Sequence, residues 1–109
     1  LWANLEDTPM IKHIVFWKLK DEAEGASKAE NARKMKAKLE ALAGRIPTLK
    51  HIEVGLNFEP SDAAADVVLY SEFTSKADLD AYQTHPEHVA AGAFVRSVVM
   101  ERRVADYEI

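Results

Sequence analysis

Cysteine is absent from the chain, which excludes disulfides, thiolate nucleophiles and cysteine-based zinc or iron–sulfur centres. Glycine is nearly as scarce. Gly25, Gly44, Gly55 and Gly92 are too scattered to form a phosphate-cradling loop, so no nucleotide cofactor is expected. No apolar run approaches the roughly 20 residues of a membrane span, so no membrane partner is expected. Positive charge is also short. Fourteen Lys and Arg against eighteen Asp and Glu leave a formal charge of −4, without the basic footprint of a nucleic-acid binder. What is present is ordinary for a globular protein, 48% hydrophobic and 29% charged residues in a length of 109 that suits one domain with one core. The lack of cysteine suits a reducing cytoplasm, the expected location.

The opening LWANLEDTP, residues 1–9, has neither the basic start nor the apolar centre of a signal peptide. It reads as an extension or expression remnant ahead of a domain covering residues 10–109. IKHIVFWKLK, residues 11–20, is rich in β-branched and aromatic residues and carries large apolar groups on both alternate faces, which predicts a strand covered on both sides. Ser27 followed by Glu30 is a capping-box signature. Ala32, Met35, Leu39 and Leu42 then recur at helical spacing, with Gly44 as the stop. Alternation in LKHIEVGLN (49–57) and DVVLYSEFT (66–74), separated by a short turn, predicts an antiparallel hairpin. Ser75 and Asp78 open a second helix that passes Leu79 and Tyr82, breaks near Pro86 and resumes toward Val95. VVMERRVADY closes the chain as a strand interrupted by charges.

The order strand, helix, strand, strand, helix, strand predicts an α+β ferredoxin-like βαββαβ domain, with both helices on one face of a four-stranded antiparallel sheet. The other sheet face is then left with Ile14, Phe16, Val68 and Tyr70 and nothing to cover them. A second copy packed sheet against sheet resolves that exposure, so a homodimer burying on the order of 2,000 Å² is expected.

The stretch YQTHPEHV (82–89) holds two of the four histidines around a proline. Proline at a first helical position costs no hydrogen bond, which would place His85 at a cap and His88 at the third helical position. The positive end of the helix dipole disfavours an imidazolium there, and a general base must be neutral. In one unbroken helix Tyr82 and His88 would point roughly 120° apart, so the break is what would let them converge. Several readings stay open. Tyr82 suits a core aromatic or a hydroxyl donor, and His88 a structural group, a ligand contact or a base. His13 suits a satisfied core histidine or a pocket group, and Trp17 core or pocket wall. His85 reads as a cap, and His51, beside Glu53 on a polar strand face, as structural or exposed. The spacing of His85 and His88 occurs in metal sites, but the intervening proline and the missing cysteines argue against one, and no metal is expected.

IKHIVFWKLKD, IPTLKHIEVGLN, YSEFTSKADLDAYQTHPEHV and the closing VRSVVMERRVADY together resemble the stress-responsive A/B barrel (Dabb) family of dimeric α/β barrels, from about Met10 to Tyr107. The resemblance implies face-to-face dimers whose sheets close into a barrel. It also implies a pocket between sheet and helices, with His13, Tyr82 and His88 as its polar or catalytic groups and Val15, Trp17, Leu69 and Val99 as ligand-binding lining. A plant polyketide cyclase of this fold closes a ring by aldol condensation without a cofactor, and its catalytic histidines and tyrosine fall on His13, Tyr82 and His88. The chain departs from that enzyme at Val99, where the cyclase has a large aromatic, at Arg102, where it is aliphatic, and in an alanine-rich first helix. A different substrate is implied. Three functions therefore stand open: a protein binding a small, largely apolar or aromatic molecule, a cofactor-independent cyclase, isomerase or lyase, and a structural assembly domain.

Overall fold

The computed structural model describes residues 9–109, so the expectation for residues 1–9 falls almost wholly outside it. The elements are β1 (Ile11–Leu19), β2 (Glu22–Ala23), β3 (Ala26–Ser27), α1 (Lys28–Glu40), β4 (His51–Leu56), β5 (Val67–Phe73), α2 (Lys76–Thr84), α3 (Pro86–Val98) and β6 (Val99–Glu108). β4, β5, β1 and β6 lie in that order in one antiparallel sheet, the ferredoxin-like arrangement expected from the sequence. No helix among the described residues is long and apolar enough to cross a membrane.

Alternation decides which face meets the helices. Ile11, His13, Val15, Trp17 and Leu19 of β1 are buried, and so are Val67, Leu69, Ser71 and Phe73 of β5. Met35 and Leu39 of α1, Leu79 and Tyr82 of α2, and Val95 and Val98 of α3 complete this core. Each such aliphatic side chain contributes about 1.5–3 kcal/mol on burial. Ser27 Oγ accepts from Glu30 N at 3.2 Å and Ser75 Oγ from Asp78 N at 3.1 Å, which satisfies orphan amides at the starts of α1 and α2. On the opposite face Ile14, Val68 and Tyr70 stay half-buried and Phe16 is 43% exposed, with no helix over them.

Two details differ from the sequence reading. α1 ends at Glu40, earlier than the apolar spacing through Leu42 suggested. Turns follow it, and Gly44, at φ +78°, serves that turn region. Glu24 (φ 53°) and Gly25 (φ 70°) turn a small β2–β3 hairpin that the polar run DEAEGAS did not announce. The break expected near Pro86 is present, and Pro86 begins a new helix, α3.

Candidate functional site

Pro86 supplies no backbone N–H, so α2 stops at Thr84, and His85, with an extended backbone, serves as both the last cap of α2 and the first of α3. Two backbone groups lose their helical partners at this break, and two histidines take them. His85 Nδ1 accepts from Glu87 N at 3.1 Å. His88 Nδ1 lies 3.0 Å from the carbonyl oxygen of Gln83, a group stranded in the last turn of α2. A carbonyl only accepts, so His88 carries its proton on Nδ1 and leaves Nε2 as the acceptor.

The break also turns His88 onto Tyr82, with ring centroids 4.5 Å apart. Tyr82 is 1% exposed and packs 5.0 Å from the Phe73 ring and 6.3 Å from that of His13. Its hydroxyl forms no hydrogen bond to another described residue. Burial pushes its pKa up to about 12, so it remains a donor at neutral pH. Burial likewise lowers the His88 pKa. The Gln83 carbonyl opposes this, while His13 and the Arg102 and Arg96 guanidiniums add to the lowering. His88 is therefore predominantly neutral at pH 7.

His13 is 3% exposed, and a buried imidazole needs a partner. β6 pairs with β1 so that Asp106 stands directly across from His13, and the His13 Nδ1–H donates to the Asp106 carboxylate in a short contact. The carboxylate fixes the ring and leaves Nε2 as its second polar atom.

His13, Tyr82 and His88 line one cavity of about 290 Å³, close to the lower end of small-molecule sites. Val15, Trp17, Leu69 and Val99 line the same cavity, so all seven residues singled out from the sequence meet there. Val99 reaches it through an irregularity in β6. The register shifts after Lys18, so Val99 rather than Met100 stands opposite Leu19, and Met100 is left 67% exposed. Leu39, Gly92, Val95 and Arg96 complete the lining together with Arg102, which the sequence reading noted only as a departure from the cyclase. Asp106 was missed as well. Its signal, an acid alternating with Arg102 and Val104 on the last strand, becomes informative only once the pairing register is known. His51 lies away from the cavity, exposed, with Nε2 2.8 Å from Glu53 Oε1.

The arrangement offers a neutral acceptor, a hydroxyl donor and a carboxylate-held imidazole around a mostly apolar space. Chains of like architecture are known. A dimeric ferredoxin-like protein of unknown function from Bacteroides fragilis is 41% identical, over 92% of this chain and 96% of that one, with a TM-score of 0.81. Another from Jannaschia sp. is 30% identical over 92% and 99% of the two chains, with a TM-score of 0.71. A hydroxynitrile lyase from Passiflora edulis shares the fold at 21% identity, covering 92% and 93%, with a TM-score of 0.76. No functionally curated protein matches the sequence. The model of the Stress responsive A/B Barrel Domain matches residues 11–109, nearly the whole chain. With the sheet order and the helix break already in view, that match makes this chain a member of the stress-responsive A/B barrel (Dabb) family.

Proposed function

We propose that this protein is a cytoplasmic homodimer in which each protomer binds a small, largely apolar or aromatic molecule in the cavity between sheet and helices. The observation that carries the reading is the convergence of three polar groups from three separate elements, β1, α2 and α3, on one apolar space. A collapsed core would have no use for a histidine locked in one tautomer with its second nitrogen left as an acceptor. The bare face of Ile14, Phe16, Val68 and Tyr70 supports the dimer, as do the dimeric relatives from Bacteroides fragilis and Jannaschia sp..

One observation favours a second reading, cofactor-independent chemistry on a carbonyl compound. His88 Nε2 is an acceptor beside a hydroxyl that stays protonated. In such a reaction His88 Nε2 takes a proton from the carbon next to the carbonyl. The C–H electron pair forms the enolate, and the Tyr82 O–H hydrogen-bonds the developing oxyanion. An aldol step then joins the enolate carbon to a second carbonyl carbon, whose oxygen receives the proton. His13, held by Asp106, orients the substrate. The fold is compatible with lyase chemistry, since the Passiflora edulis protein is a hydroxynitrile lyase.

Trp17 lines the cavity and serves as a built-in reporter. Titration of indole fluorescence with aromatic aldehydes, aromatic ketones and polyketide-like diketones is expected to give saturable binding by at least one class. Tryptophan quenching by none of them, at concentrations up to the millimolar range, would remove the binding reading.

A further inference from the structure

Two of the residues at the cavity are arginines, and neither is paired with an acid among the described residues. Arg102 stands on β6 directly across from Trp17 of β1, on the helix-facing side of the sheet. Arg96 comes from α3, where His88, Gly92 and Arg96 follow at four-residue spacing and so form one row along the helix. Glycine in the middle of that row has a use. A Cβ at Gly92 would stand 3.2 Å from Arg96 Nη1, so its absence leaves room for the guanidinium to lie back along the row toward His88. The acids that could neutralise this pair are engaged elsewhere. Asp106 holds His13, Glu101 faces Arg103 at 3.9 Å, and Glu87 faces Arg45 at 3.9 Å. Both arginines are exposed, whereas Tyr82 and His13 lie deep, so the charge stands at the mouth and the other polar groups inside.

From this we infer that the bound molecule carries a carboxylate, held at the mouth by Arg96 and Arg102, with its apolar body against Trp17 and Val95 and its far end toward Tyr82 and His88. The inference rests on the binding reading above. Guanidinium groups match a planar carboxylate through paired N–H donors. A phosphate ester fits less well, because the cavity has no glycine-rich backbone cradle and only these two cations. Two unpaired guanidiniums would otherwise be a poor choice for the rim of an apolar pocket. An anionic ligand accounts for both, and for the aliphatic-to-arginine departure at position 102.

The test is equilibrium binding at neutral pH and low salt, by calorimetry, of benzoate, 1-naphthoate and 2-naphthoate, each beside its own primary amide. At least one acid is expected to bind about tenfold or more tightly than its amide. Arg96→Gln and Arg102→Gln are each expected to weaken the acid about tenfold while leaving the amide within about twofold. Both side chains are exposed, and melting curves of the variants check that the fold is retained. Equal affinity for acid and amide would overturn the carboxylate inference and leave the binding reading standing. So would an acid preference that survives in the double variant. If no acid and no amide binds, the carboxylate inference falls, and the indole titration with carbonyl compounds decides the reading beneath it.

Discussion

Val68→Asp is expected to convert the protein from a dimer to a monomer at micromolar concentration. Val68 stands on the helix-free face, with Phe16 across from it on β1 and Gly55 on β4, so no cation stands directly across from an introduced carboxylate. A two-fold interface buries the same substitution twice. Leaving a charge unpaired in a dry interface costs about 3–5 kcal/mol per site, enough to outweigh most of a micromolar-to-nanomolar association. The face already holds charge, but in a paired form. Lys12 Nζ lies 2.6 Å from Glu72 Oε2 and 2.7 Å from the Tyr70 hydroxyl, and Lys12 holds the Glu72 carboxyl below its ordinary pKa. Sedimentation velocity reads the outcome. A wild-type monomer at the same concentration, or a Val68→Asp dimer, would contradict the sheet-to-sheet arrangement.

The largest functional loss is expected at His88. If the cavity performs proton transfer, His88→Gln should lower turnover by about 10²–10⁴, the usual worth of a positioned base, and Tyr82→Phe by about 10²–10³. Stability should move far less. Losing the bond to Gln83 costs about 1 kcal/mol, and the Tyr82 hydroxyl has no bond to a described residue to lose. His85→Ala is the control. It removes a cap worth about 1 kcal/mol or less and should leave turnover nearly unchanged. The pH profile should carry the same signature. The His88 pKa is lowered by burial, with His13 of β1, Arg102 of β6 and Arg96 of α3 facing it, so turnover should fall on the acid side below the ordinary histidine value. The stability linkage has the matching sign. The unfolded chain holds this proton more tightly, so the His88 contribution is whole above the ordinary histidine pKa and is lost as pH falls toward the folded value. A turnover loss confined to His85→Ala, or a His88→Gln variant that unfolds while activity per folded molecule is kept, would reverse the roles given to the two histidines.

Much of this was legible in the sequence because it rests on local rules. Period-two alternation assigns the buried and bare faces of β1, β4 and β5, and Ser27 and Ser75 mark helix starts through their side-chain oxygens. Pro86 marks the break through its missing donor. The seven candidate residues owed more to family resemblance than to spacing, since residue order does not reveal that β1, α2 and α3 converge. What escaped depends on pairing between distant segments. Asp106 reaches His13 only through the β1–β6 register, and the shift near Lys18 decides that Val99 rather than Met100 turns inward. Arg96 was not singled out from the sequence, and only the helix row over Gly92 shows that it lies along the cavity. The Glu24–Gly25 turn was hidden because a left-handed glutamate leaves no compositional mark.

Long-range proton–nitrogen NMR of the imidazole rings reads whether a small molecule enters the space between Tyr82, His88 and Trp17. At pH 7 the free protein should show His88 protonated on Nδ1 with an unprotonated Nε2. Addition of an aromatic ketone or arene carboxylate should shift the His88 Nε2 resonance and give ligand contacts to the Trp17 and Tyr82 rings. A His88 ring protonated on Nε2, or ligand contacts confined to the outer face around Phe16 and Val68, would rule out a ligand site in this cavity.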